Sequence, residues 1–93
     1  MKHFDTPDDV RHLGAVGNTR RRYTFPNGYG ASVIQGPYSY GGSEGLFELA
    51  VTDDKGHLVY DTPITDDVKG WLTEEDADDL LVAIAALPVR VSA

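Results

Sequence analysis

The feature that most constrains the fold is one amphipathic helix that follows a series of strand-like segments. Between Thr73 and Pro88 the apolar residues recur at helical spacing. The residues of this apolar face are Ala77, Leu80, Leu81, Ile84 and Leu87. Thr73 and Asp76 approximate a capping box, and Pro88 is a helix stop. Because a single apolar stripe needs a surface to cover it, we predict a helix over about 74–87 that packs on one face of a sheet.

Four segments before this helix are typical of strands, because they alternate apolar and polar residues or are rich in β-branched and aromatic residues. Two turn signals, Pro26-Asn27-Gly28 and Asp53-Asp54-Lys55-Gly56, mark predicted hairpins. The predicted strands are 20–25, 30–35, 45–52 and 57–61. The sequence therefore predicts an α+β fold with a single four-stranded antiparallel sheet and a C-terminal helix packed on one face.

The predicted domain organisation is an N-terminal arm or short helix over 1–19 and a single α+β domain over 20–93. Thr6 suits a helix cap, and Pro7 with the two following aspartates suits a first helical turn. A frayed arm is the alternative. The predicted core consists of Tyr23, Phe25, Val33, Phe47, Leu49, Val51, Trp71, Leu80, Leu81, Ile84 and Leu87.

Composition narrows the class of protein. The net charge is -7 and there is no Cys, so we predict a cytoplasmic protein without disulfides or thiolate metal sites. No apolar run reaches the length of a membrane span, and the first residues lack the apolar stretch of a secretory signal. An acidic protein repels nucleic acid and attracts basic surfaces, so we expect a protein partner and no direct nucleic-acid binding.

Reactive motifs are missing. No Ser lies in a nucleophile-elbow pattern, the three His are far apart in the chain, and the Gly-rich loop 36–45 matches no phosphate-binding fingerprint. We therefore predict a non-enzymatic protein with no cofactor and no metal site. One alternative is a hard-cation site on Asp53, Asp54 and Asp61, although their spacing is not that of an EF-hand loop.

Carboxylates between positions 61 and 79 form the main candidate site. The predicted partner-binding residues are Asp66, Asp67, Glu74, Glu75, Asp78 and Asp79, with Tyr38 and Tyr40 as apolar anchors. Several of these acids also suit helix starts, where a negative charge is favourable, so a solvated helix surface is the competing interpretation. Charge reversal at Asp78 and Asp79 is expected to abolish binding without unfolding the protein.

Three segments resemble a family of small, mostly uncharacterised proteins encoded by phages and prophages. They are NGYGASVIQGPYSYGG (27–42), GLFELAV (45–51) and YDTPITDDVKGWLT (60–73). The resemblance extends from about Asn27 to Leu87, roughly two-thirds of the chain. No activity follows from the family itself.

The resemblance implies a phage accessory protein in the cytoplasm of the bacterial host. Such small acidic proteins often bind and block a host machine, and anti-CRISPR or other anti-defence inhibitors fit this size. Some of them imitate nucleic acid, so the implied partner is a basic host protein or nucleoprotein surface. Two alternatives remain open: a structural or self-assembling phage module that pairs through an exposed strand edge, and a small metal- or ligand-binding protein.

Overall fold

A computed structural model describes residues 3–13, 18–36, 45–59, 62 and 68–89. Its elements are a short 3-10 helix (His3–Asp5), the strands β1 (Asp9–Leu13), β2 (Asn18–Thr24), β3 (Tyr29–Gln35), β4 (Phe47–Asp53) and β5 (Val68–Leu72), and the helix α1 (Glu74–Ala85). The five strands form one antiparallel sheet in the order β1-β2-β3-β4-β5. The α+β class, the antiparallel sheet and the C-terminal helix are confirmed, but the prediction of four strands is wrong.

The first additional strand is β1, where the sequence predicted an N-terminal arm or a short helix. Asp8 does not support a helical turn. Its carboxylate accepts hydrogen bonds from the backbone N–H and the hydroxyl of Thr24, at 2.6 and 3.0 Å. The backbone N–H of Asp8 donates to the carbonyl of Arg22 at 2.8 Å. A short isolated helix is marginal, whereas pairing with β2 satisfies the backbone along its whole length. The predicted boundary between residues 19 and 20 falls inside β2.

The partner of β4 also differs from the prediction. The turn at Asp53–Gly56 forms as expected, with the N–H of Asp53 donating to the carbonyl of His57 at 2.8 Å. The strand predicted at 57–61 is reduced to an isolated bridge between Thr52 and Leu58, and positions 60 and 61 lie outside the described residues. The first half of β4 pairs instead with β5, a strand that is not among the four predicted ones.

The core lies between α1 and one face of the sheet, which is the helix side. Its fully buried side chains come from the central strands and the helix: Val33, Leu49, Val51, Leu81 and Ile84. Tyr23 and Phe47 are also buried, while Phe25, Leu80 and Leu87 are half-buried and pack against this cluster, so most of the predicted core is confirmed. Trp71 is the wrong prediction, since its side chain is 60% exposed.

The N-terminal end of α1 is capped by its own neighbours. The backbone N–H of Asp76 donates to Oγ1 of Thr73 at 3.1 Å, and the N–H of Thr73 donates to Oδ2 of Asp76 at 3.2 Å. This reciprocal pair is the predicted capping box. The helix ends at Ala85, two residues before the predicted end.

The C-terminal end of α1 is capped from a distant turn. The side-chain amide nitrogen Nδ2 of Asn27 donates to the carbonyls of Ile84, Ala85 and Leu87, at 2.8, 3.3 and 3.1 Å. Its Oδ1 accepts from the backbone N–H of Tyr29 at 3.1 Å. Asn27 is buried, and its side chain supplies a donor to carbonyls at the end of α1 and just beyond it while fixing the β2–β3 turn at the same time.

The 3-10 helix closes one end of the core through Phe4. The N–H of Phe4 donates to Oδ1 of Asp78 on α1 at 2.9 Å, and its carbonyl accepts from the hydroxyl of Tyr23 at 2.7 Å. The ring of Phe4 packs edge-on against Phe47, with 5.0 Å between the centroids. Burial raises the pKa of Tyr23 to about 12, because the phenolate would lose its hydration.

Candidate functional site

An open groove of about 280 Å³ lies between β5 and the first half of α1. It is lined by Lys69, Leu72, Asp76, Asp79 and Leu80. The three helical residues stand at positions i, i+3 and i+4, which share one helix face. The two leucines are half-buried and the three charged residues are exposed, so the groove combines an apolar wall with a charged mouth.

A β-bulge in β5 determines which side chains enter this groove. Leu49 lies opposite Lys69 and Phe47 lies opposite Leu72, so two residue steps on β4 match three on β5. The extra residue lies between Lys69 and Leu72. Leu49 and Phe47 are buried on the helix side of the sheet, and their cross-strand partners therefore face that side as well.

Trp71 lies within this bulge and has a left-handed backbone conformation, with φ of 59°. It is the one residue other than glycine with a positive φ among those that the structure describes. A bulky residue in this region costs roughly 1–3 kcal/mol, and such strain is concentrated at functional positions. Nothing in the core compensates for it, because the indole is mostly exposed.

Acidic residues surround the start of α1, which begins three residues after Trp71. Glu74 and Glu75 are exposed in the first turn, and Asp79 is exposed in the groove. The positive end of the helix dipole stabilises such charges by roughly 0.3–1 kcal/mol each. Among the described residues that line the groove, Lys69 is the one cationic side chain and two carboxylates outnumber it.

Asp78 has a second role that the sequence did not indicate. Its carboxylate accepts the N–H of Phe4, as described above, and the side chain is half-buried. Charge reversal at Asp78 would therefore disturb the packing of the 3-10 helix as well as any binding surface. Asp79 is the cleaner position at which to test binding, because none of its described contacts is a hydrogen bond that holds the fold.

The remaining predicted site residues lie outside the described residues of the structure. They are Tyr38, Tyr40, Asp66 and Asp67. Their part in the site stays a prediction.

Sequence reasoning missed the apolar part of the site. Trp71 was assigned to the core because large aromatic residues are usually buried. The available signal was Gly70 directly before it, since glycine inside a strand often marks a bulge. Lys69 and Leu72 could be placed in the groove only once the pairing of β5 with β4 was known.

Metal-ligating groups do not cluster in the part of the chain that the structure describes. Of the three aspartates proposed for a hard cation, Asp61 lies outside that part. Oδ1 of Asp53 accepts the N–H groups of Lys55 and His57, at 2.8 and 2.9 Å, so its carboxylate organises the turn after β4. None of the described helices is long and apolar enough to cross a membrane.

Comparisons with known proteins found no match, either to a protein-family model, to a curated protein or to a solved structure.

Proposed function

We propose that this protein is a non-enzymatic binding module that holds a basic surface of a partner protein. The observation that carries the proposal is Trp71, an exposed indole in a strained conformation on β5, the strand that supplies Lys69 and Leu72 to the groove. Trp is the residue type most enriched among those that dominate binding energy in interfaces. The strain is understandable if the bulge serves to present the indole and to open the groove.

Charge complementarity supports a basic partner. The groove holds two carboxylates, the adjacent first turn holds Glu74 and Glu75, and the chain as a whole has a net charge of -7. A field of one sign steers an oppositely charged protein and raises its association rate. An Arg or Lys side chain of the partner would place its aliphatic stem on Leu72 and Leu80 and its charge beside Asp79.

The resemblance to phage proteins supports a more specific proposal, in which the partner is a host defence protein that normally holds nucleic acid. The acidic surface would then occupy a basic nucleic-acid-binding site and inhibit the partner. Asp76 and Asp78 already make hydrogen bonds within the fold, which leaves Glu74, Glu75 and Asp79 as the carboxylates free to imitate phosphates. Three such charges fit a compact basic patch.

Affinity capture from bacterial lysate with matched variants tests the proposal. The wild type is compared with Trp71→Ala, Asp79→Lys and Asp54→Lys, the last changing the charge equally at an exposed position in the turn after β4. We expect the wild type and Asp54→Lys to capture the same basic protein, and the other two variants to lose roughly 30-fold or more in affinity for it. Capture should weaken with salt and survive nuclease.

The opposite result is equally informative. If all four proteins capture the same partner with similar affinity, neither the indole nor the groove is the binding site. Thermal unfolding of each variant is measured in parallel. Because both substituted side chains are exposed, we expect Asp79→Lys and Trp71→Ala to remain folded, and a loss of capture then reports on binding alone.

A further inference from the structure

The far edge of the sheet from the groove is formed by β1, a regular strand with an open side. In the described part of the chain, β1 pairs only with β2 and the register runs without a bulge from Asp9 to Leu13. The five residues include neither Pro nor Lys, which natural proteins often use to block such an edge. An open edge strand of this kind is a template for pairing with another chain.

Among the described elements, none packs closely on the helix side of β1 except its neighbour β2. Val10 lies opposite Arg21, whose guanidinium lies over the ring of Phe4 at 4.9 Å, so Val10 is on the helix side of the sheet. Helix α1 packs mainly on β3, β4, β5 and the 3-10 helix, and it does not extend over β1. As a result Val10 is 49% exposed.

We propose that β1 pairs with β1 of a second copy of this chain, in an antiparallel register centred on Val10. A two-fold axis perpendicular to the sheet keeps each face on the same side in both copies, so the register must be centred on a residue. Centring on Asp9 would place two aspartates opposite each other, and centring on Arg11 would place two arginines opposite each other. Both arrangements are destabilising.

The register centred on Val10 is complementary. It places Val10 opposite Val10 of the second copy, and Asp9 opposite Arg11 of the second copy, twice by symmetry. It also places His12 opposite Asp8 of the second copy. The two exposed valines bury each other, and each arginine gains a carboxylate.

Like-charged side chains on the face of β1 away from the helix favour this pairing. Arg11 lies directly opposite Arg20 on β2, a like-charge pair within the chain, and its described ion pair is with Asp9 of its own strand at 2.9 Å. The buried Nε of Arg20 has no hydrogen-bond partner among the described residues. A second copy brings another aspartate to this arginine-rich row, which reduces the repulsion.

Sedimentation or light scattering across concentrations tests the proposal with the purified chain. An interface of one strand pair is small, so we expect a reversible dimer in roughly the micromolar to submillimolar range. A chain that remains monomeric up to about 1 mM would overturn the proposal.

A charge swap separates dimerisation from folding. Arg11→Asp places two like charges opposite each other across the interface and should weaken the dimer about tenfold or more. Within the chain it removes the Arg11–Arg20 repulsion but also the exposed Arg11–Asp9 ion pair, so the melting temperature of the monomer should change little. The double variant Asp9→Arg/Arg11→Asp restores opposite charges across the interface, and its dimer should return to within about threefold of the wild type.

The control variant is Trp71→Ala, at the opposite edge of the sheet, which should leave dimerisation unchanged. A dimer that persists in Arg11→Asp, or one that Trp71→Ala abolishes, would show that the copies meet through another surface. Because neither β1 variant alters the groove, the result is independent of the partner-capture experiment.

Discussion

The two ends of α1 are stabilised in different ways. At the N-terminal end, Thr73 and Asp76 cap the helix from within the same few residues. At the C-terminal end, the cap is Asn27, 57 positions before the first carbonyl that it binds. Substitution of a local capping residue lowers the stability of the fold only modestly. A distant cap joins two parts of the fold, so its substitution should lower the stability more. Because the N-terminal end caps itself locally, its other carboxylates are available for binding.

The largest effect on stability is expected at the distant cap. Asn27→Ala removes the side-chain donor shared by the carbonyls of Ile84, Ala85 and Leu87 and frees the β2–β3 turn, so the free energy of unfolding should fall by about 3 kcal/mol. Chemical denaturation measures this change. Asn27→Asp is the control, since it keeps the acceptor for Tyr29 but places a negative charge at the negative helix end. If either variant lowers the free energy of unfolding by less than about 0.5 kcal/mol, the distant cap matters no more to stability than a local one.

A smaller effect is expected at Asp78, near the N-terminal end. Asp78→Ala removes the acceptor of the buried N–H of Phe4 and should cost about 2 kcal/mol, whereas Asp79→Ala should change the stability by less than about 0.5 kcal/mol. The comparison of these two adjacent residues therefore distinguishes Asp78, which stabilises the fold, from Asp79, which is proposed to bind the partner. Thermal or denaturant unfolding of both variants measures the difference, and equal costs would contradict it.

Tyr23 tests the same contact from the other side of Phe4. Tyr23→Phe should cost about 1 kcal/mol at neutral pH, because the carbonyl of Phe4 loses its donor. The pKa of Tyr23 is raised from 10.0 to about 12, so the neutral phenol stabilises the fold fully below pH 10. That contribution is lost as the pH rises through about 12.

Denaturation across this alkaline range therefore checks the second part of the prediction. The wild type should lose stability steeply between pH 10 and about 12, and Tyr23→Phe should show a weaker dependence. Tyr29→Phe is the matched control, since the hydroxyl of Tyr29 makes no hydrogen bond among the described residues. A wild-type curve that matches the Tyr23→Phe curve would contradict a buried phenol at this position.

The smallest effect on stability is expected in the first turn of α1. Glu75→Gln removes one exposed charge near the helix dipole and should cost only about 0.3 kcal/mol. Its effect on capture of the basic partner should be larger than its effect on unfolding, and both are measured on the same preparation. If Glu75→Gln lowers the stability markedly and still binds the partner with the affinity of the wild type, Glu75 serves the fold and not the binding surface.

The sequence predicts the features of this structure that depend on local contacts, and it does not predict those that depend on distant ones. The capping box, α1 and the strands β2, β3 and β4 were predicted, because their signals are periodicity and neighbouring turn residues. Asn27 was correctly placed in a turn, but its role as a helix cap depends on carbonyls at positions 84–87. β1 was missed because Asp8 binds Thr24 instead of a helical turn.

Of the candidate site, only the acidic residues were predicted from the sequence. Glu74, Glu75 and Asp79 lie on the exposed start of α1 as expected, since acids favour that position. The bulge that exposes Trp71 depends on the register between β4 and β5, which no local pattern specifies. Asp78 was grouped with its neighbours because its partner, the N–H of Phe4, is 74 positions away.

The order of synthesis gives the distant contacts a further consequence. Asp78 lies in α1 and the carbonyls that Asn27 caps lie at its C-terminal end, which the ribosome makes after the five described strands. Strands β1 to β4 therefore emerge with the apolar face of Val33, Leu49 and Val51 exposed. This face is covered only after α1 has been synthesised, at about 5–20 residues per second. We expect the nascent chain to remain sensitive to protease, and to be bound by chaperones, until Asp78 to Leu87 have left the exit tunnel.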